Sequence, residues 1–108
     1  VSKNEKLTDA AQKYANDMSS ANFFSHTGKD GSSFSLRIKN AGYTNYKWIA
    51  ENIAAGQTTP KEAMTGWMNS SGHRANILNT NASEIGVGYA TNKSSDYKNY
   101  WVQEFGSK

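Results

Sequence analysis

Two histidines, His26 and His73, are the only imidazoles in the chain, and each lies beside a break rich in glycine and serine. Imidazole suits both metal ligation and acid–base work near neutral pH, and loops held by a rigid scaffold often carry function. The two are 47 positions apart (73 − 26). No local zinc spacing joins them, so from spacing alone two ordinary loop histidines are the commoner outcome. Glu51 stands inside the apolar run Trp48-Ile49-Ala50-Glu51-Asn52-Ile53-Ala54-Ala55. An ionised carboxylate is costly to bury unless it is paired or bound to metal, so Glu51 is either on the exposed face of an edge strand or a working residue. Glu84 opens the Ile85-Gly86-Val87-Gly88 run, where a solvated strand end accounts for it. Glu104 sits between Gln103 and Phe105, where strand alternation accounts for it.

Other chemistries fit poorly. Ser25-His26 and Ser71-Gly72-His73 are sequence neighbours, which seldom make a Ser–His catalytic contact, and no Gly-x-Ser-x-Gly elbow exists. Gly86-x-Gly88 lacks the rest of a dinucleotide fingerprint and falls inside a strand pattern, not after it. With no cysteine, disulfides and thiolate chemistry are excluded. The twelve Lys/Arg against nine Asp/Glu leave a net charge of +3, scattered along the chain. That excess is too mild and dispersed to mark a nucleic-acid surface.

The elements that must position these residues are legible in outline. At 108 residues and 11.9 kDa, one domain is expected, with a folded surface of roughly 6,000 Å² and about 65% of the unfolded surface hidden. The 12% aromatic content argues against disorder despite a mean hydropathy of −0.79. No apolar run approaches the roughly 20 residues of a membrane span, and no apolar signal core opens the chain. Either a signal has been removed or this is a domain of a longer chain. Ser2-x-x-Glu5 has the spacing of a capping box, and Leu7, Ala10, Ala11, Tyr14, Ala15 and Met18 follow at helical spacing, predicting a helix over 3–19. Residues 25–31 form a loop, and a short helix from Ser33 carries Phe34, Ile38 and Ala41 and ends at Gly42. The 46–54 stretch is ambiguous by period. Thr59-Pro60-Lys61-Glu62 combines an N-cap, a first-turn proline and a capping glutamate, and starts a helix to about Asn69. Ser70-Ser71-Gly72 breaks that helix, and His73 to Leu78 forms a further helical turn. Strands follow at Ile85–Ala90 and Tyr97–Phe105. Trp48, Trp67 and Trp101 are expected in the core and not on a stacking platform. Helices first and strands last give an α+β class.

Taken in order, Phe24-Ser25-His26-Thr27-Gly28, Ala50-Glu51-Asn52-Ile53-Ala54, Trp67 through Leu78 and Glu84-Ile85-Gly86-Val87-Gly88 resemble the CAP superfamily. This is the SCP-like domain of cysteine-rich secretory, antigen 5 and pathogenesis-related proteins. The Gly-His-Arg-Ala-Asn-Ile-Leu run and the lack of cysteine point to its bacterial branch. The resemblance spans nearly the whole chain, residues 1–108 as a single domain, and implies an α-β-α sandwich with a central antiparallel sheet flanked by helices. It implies an extracellular or cell-surface location and a cleft in which His26 and His73 bind a divalent metal, zinc first, with Glu51 beside them. An isolated domain without metal is the alternative. Ser70 replaces the second cleft glutamate of the eukaryotic branch, Arg74 follows the second histidine, and Glu84 is a candidate to compensate. The family's usual first helix would lie before residue 3.

Three functions follow as expectations. The favoured one is a binding or interaction module whose cleft takes a peptide, glycan or lipid, with no nucleic-acid partner. The second is a metal-assisted, peptidase-like hydrolase in which His26 and His73 hold zinc and Glu51 handles protons. Catalytic zinc commonly has three protein ligands plus water, so this needs a further carboxylate. The third is a glycosidase using Glu51 with Glu84 or Glu104 at a carboxyl separation of about 5–9.5 Å.

Overall fold

Asn4 starts the first helix, where Ser2 was expected to. In the computed structural model, which describes residues 1–108, the Asn4 side chain accepts from the backbone N–H groups of Lys6 and Leu7 at 2.9 and 3.0 Å. Helix α1 therefore runs Glu5–Ala21 and not 3–19. Ser2 and Lys3 form strand β1, paired in parallel with Glu84 and Ile85, so the capping-box spacing is occupied by sheet pairing instead. Asn4→Ala should lower stability by about 1 kcal/mol. The measurement is a urea transition whose midpoint falls at constant slope.

The remaining helices follow local chemistry. Ser33 caps α2 (Phe34–Asn40) by accepting from Leu36 N–H, and the chain leaves through Gly42 at φ 100°. Thr59 caps α3 (Pro60–Met68) by accepting from Glu62 N–H. The expected Ser-Ser-Gly break is smaller and earlier: only Asn69 and Ser70 separate α3 from α4, which begins at Ser71, takes in Gly72 and His73 and runs to Ile77.

The ambiguous segment is strand β2 (Trp48–Ala55). Helices cover both of its faces, so it lacks the apolar–polar alternation of a half-exposed strand. With β3 (Glu84–Thr91) and β4 (Asn99–Ser107) it completes a sheet of order β1-β3-β4-β2. The central pairings are antiparallel as expected, and β1 makes the sheet mixed.

Helices α1 and α2 lie on one face. There Ala11, Tyr14, Ala15 and Met18 pack on Ile53, Tyr100 and Val102, and Leu7 and Ala10 pack with Ile38 and Tyr43. The other face carries α3 and α4, with Trp67 and Ala63 against Trp101 and Ala54. Both buried indoles find acceptors, Trp67 at Ile53 O (3.0 Å) and Trp101 at Gln57 O (2.9 Å), as buried tryptophans require. Trp48 is only half-buried at the edge of the core. In β3 the alternation runs opposite to side-chain size: Gly86, Gly88 and Ala90 are buried, while Val87 and Tyr89 stand exposed. The reason is α1, whose backbone lies directly on the strand. A Cβ at Gly86 would fall 2.1 Å from the Leu7 carbonyl carbon. The folded surface is 5975 Å², matching the expectation from length.

Candidate functional site

Strand β2 turns Glu51 toward α2, and its side chain has no exposed surface. Burial at that level demands partners, and they come from two other segments. The Arg37 guanidinium donates to both carboxylate oxygens, at 2.8 and 3.1 Å. His26 Nδ1 lies 2.7 Å from Glu51 Oε1. Arg37 also donates to the carbonyls of His26 (3.0 Å) and Ser32 (2.8 Å), and its guanidinium lies 3.4 Å over the Tyr14 ring. The Tyr14 hydroxyl donates to the Ser25 carbonyl. Burial pushes that phenol up to about 12, so it stays a neutral donor. Residues 25–32 are thus pinned to α1 and α2 from beneath. Between a carboxylate and its ring, His26 Nδ1 carries the proton, and Nε2 is left as the free nitrogen of a half-exposed side chain.

His73 reaches the same edge from the opposite face of the sheet. Its Nδ1 meets Ser70 Oγ at 2.9 Å. Its helix is held down by Asn52, which is fully buried. Asn52 donates to His73 O and to Gln103 Oε1, both at 3.1 Å, and accepts from Asn76 at 2.9 Å. Burial lowers the His73 pKa, and the charge of the His26 ring lowers it further. The two histidines, far apart in sequence, are therefore close enough to feel one another.

The other expected residues divide. Ser70 is in the group through His73. Arg74 is exposed in the last turn of α4 and its side chain has no hydrogen-bond partner. Glu84 is two strands away from Glu51, with its carboxylate engaged by Tyr43 Oη (2.7 Å) and Asn4 Nδ2 (2.9 Å). Those two bonds, Tyr43 first, hold it below the usual carboxylate range. It therefore ties the N-cap of α1 and Tyr43, in the loop after α2, to β3 and does not complete the cleft. Glu104 is fully buried and pairs directly across from Glu51 in the β2–β4 register. No sugar ring can enter between them, and neither glutamate offers the glycosidase geometry.

Two residues were missed as members of the site. Arg37 carried only the signal of an arginine on an otherwise apolar helix face. Glu104, between Gln103 and Phe105, was accounted for by alternation and paired with Glu51 only in the glycosidase reading, although a carboxylate in mid-strand raises the same question of burial as Glu51.

The donor set limits the metal. No three His, Cys, Asp or Glu side chains gather where they could hold an ion. Glu51 is engaged by Arg37 and His26, so two imidazole nitrogens are what this chain offers. The site does not fit a catalytic zinc with three protein ligands.

The model of the CAP, or cysteine-rich secretory protein, family matches residues 1–105. The protein YkwD of Bacillus subtilis is 44% identical over 102 residues, covering 94% of this chain and 37% of YkwD. An extracellular SCP-domain protein of Bacillus anthracis superposes with a TM-score of 0.86 at 30% identity, over 100% of this chain and 34% of that one. An outer surface protein of Borrelia burgdorferi shares the fold with a TM-score of 0.87 at 22% identity, over 100% of this chain and 77% of its own. The chain spans little more than a third of YkwD and of the B. anthracis protein. No helix is long and apolar enough to cross a membrane.

Proposed function

This chain belongs to the CAP family of cysteine-rich secretory proteins, and from that premise we propose that it is an extracellular or cell-surface binding module of the bacterial branch. Its ligand, a peptide, glycan or lipid, meets the sheet edge where His26 and His73 converge. The observation that carries this is the orientation of His26. Arg37 fixes Glu51, Glu51 fixes the ring through Nδ1 (2.7 Å), and Nε2 is left free on a half-exposed side chain. A ring held that way presents one acceptor to a ligand or to a cation. The extracellular location draws support from the similar surface and extracellular proteins.

A divalent cation, zinc first, is part of the proposal as an organiser of the ligand. His26 and His73 supply two nitrogens, and water or the ligand supplies the rest. The hydrolase reading keeps one supporting feature, the carboxylate-oriented imidazole, and in it His26 is the base while Glu51 orients. A proton-handling role for Glu51 itself is disfavoured, because both its oxygens already accept hydrogen bonds from Arg37.

Calorimetric titration of zinc into the parent, His26→Ala and His73→Ala proteins tests the cation. Each substitution should weaken binding at least about tenfold, the loss of one ligand of two. Affinity should fall on acidification, with protons released on binding. Because burial lowers the His73 pKa, protons compete for that ring only at lower pH than for an ordinary imidazole. The domain should stay folded without metal and gain about 2.7 kcal/mol at a hundredfold excess over Kd. Equal affinity in all three proteins would remove the cation and leave the ligand-binding surface alone.

A further inference from the structure

Glu104 has no exposed surface, and no donor reaches either of its carboxyl oxygens. A native protein seldom leaves a buried carboxyl so placed. The groups around it are few. Tyr14 faces it from α1, Arg37 from α2 and Glu51 from β2, while its neighbour on β3 is Gly86, which has no side chain. Glu51 is its direct cross-strand partner and lies within hydrogen-bonding reach. The single cation, Arg37, is committed to Glu51 through two bonds. Two ionised carboxylates against one guanidinium would leave a net negative charge out of contact with water, which the fold cannot sustain cheaply.

We propose that Glu104 is a positioning residue of the His26 site, held as a neutral carboxylic acid that donates its proton to Glu51 across the β2–β4 pair. Glu51 then remains the ionised acceptor of the group. It receives Glu104 O–H from one side, Arg37 from another and His26 Nδ1–H at the rim. Burial, followed by the charge of Glu51, raises the Glu104 pKa well above the ordinary carboxyl range, with Arg37 opposing. The proton that Glu104 carries lets Glu51 keep its charge and so hold His26 in the tautomer that exposes Nε2. This goes beyond the binding-module reading and does not depend on what the cleft binds.

Infrared difference spectroscopy on the full chain with ¹³C-labelled glutamate tests it at neutral pH, where exposed carboxyls are ionised. One protonated carboxylic C=O band is expected in the parent protein, shifted by the label and missing from Glu104→Gln. Glutamine keeps a donor, so ¹⁵N spectra of that variant should retain the Nδ1–H tautomer of His26. Glu104→Val, which has no donor, should show a mixture of tautomers. The sign of the pH profile gives a second check. A carboxyl raised on folding contributes stability below its unfolded pKa and loses it as pH rises through the folded value. The parent should therefore lose stability relative to Glu104→Gln as pH rises above about 4.3. Absence of the band in the parent would overturn the proposal without any variant needing to fold. Survival of the band in Glu104→Gln, or one His26 tautomer in all three proteins, would overturn it too.

Discussion

Arg37→Met should destabilise the protein by about 3–5 kcal/mol at neutral pH, the usual result of removing one partner from a buried ion pair. Methionine fills similar volume, so the loss is electrostatic and not a cavity. What remains is the Glu51 carboxylate with no exposed side-chain surface and only the neutral Glu104 beside it, with no guanidinium to balance its charge. Residues 25–32 lose their anchor as well, since Arg37 holds the carbonyls of His26 and Ser32. Arg37→Lys should recover only part of the loss. An ammonium can bridge the two carboxylate oxygens as Nη2 does, but it cannot also hold the Ser32 carbonyl through a second nitrogen or lie flat on Tyr14. The pH dependence has a definite sign. Without Arg37 the buried Glu51 carboxylate has no cation beside it, so the penalty falls on its charged form. The variant is then least penalised below about 4.3 and most penalised above it. Urea unfolding at neutral pH and near pH 4 measures both. A deficit under about 1 kcal/mol at neutral pH, or one that does not shrink on acidification, would show that the pair is not the anchor of the site.

This arginine also marks where the sequence stops being legible. Thr59-Pro60 and the spacing of Leu7, Ala11, Tyr14 and Met18 are local signals, and they located α3 and α1 to within a few residues. His26 and His73 stood out as the only imidazoles and Glu51 by its apolar surroundings. Only motifs shared with a family joined the three, because nothing in composition or period does. Arg37, Glu51 and Glu104 sit on three separate elements. They meet only because the β2–β4 register sets Glu51 opposite Glu104 and α2 lies over that pair. Register is a property of two strands at once, and period within one strand does not contain it. β2 was ambiguous for a related reason: a strand buried on both faces looks the same as a buried helical turn. Ser2-x-x-Glu5 misled because a cap spacing competes with sheet pairing, and Ser83 O and Ile85 O supplied the partners.

Gly86→Ala should be among the most damaging single substitutions in the chain, about 3 kcal/mol or more, at the upper end of overpacking costs. The added methyl carbon would fall 2.1 Å from both the Leu7 carbonyl carbon and the Thr8 nitrogen. These are backbone atoms of α1, so no side-chain rotation relieves the contact. The helix must lift away from β3, and Leu7, Ala11 and Tyr14 lift with it. The Tyr14 ring supports Arg37, so the displacement reaches the His26 anchor. Gly88→Ala meets Ala11 at 2.4 Å and should behave alike. Glycine otherwise costs conformational entropy in an ordered element, so close approach is what requires it at these two positions. Gly66→Ala supplies the control. Gly66 lies within α3, and the nearest atom to its added carbon is a Gln57 side-chain nitrogen at 3.8 Å. Alanine there should stabilise by about 0.5–1 kcal/mol through helix propensity. Thermal unfolding of the three variants therefore splits the same chemical change into opposite signs. If Gly86→Ala melted within a degree or two of the parent, α1 would be free to ride up on the sheet. The inverted alternation of β3 would then have no packing cause.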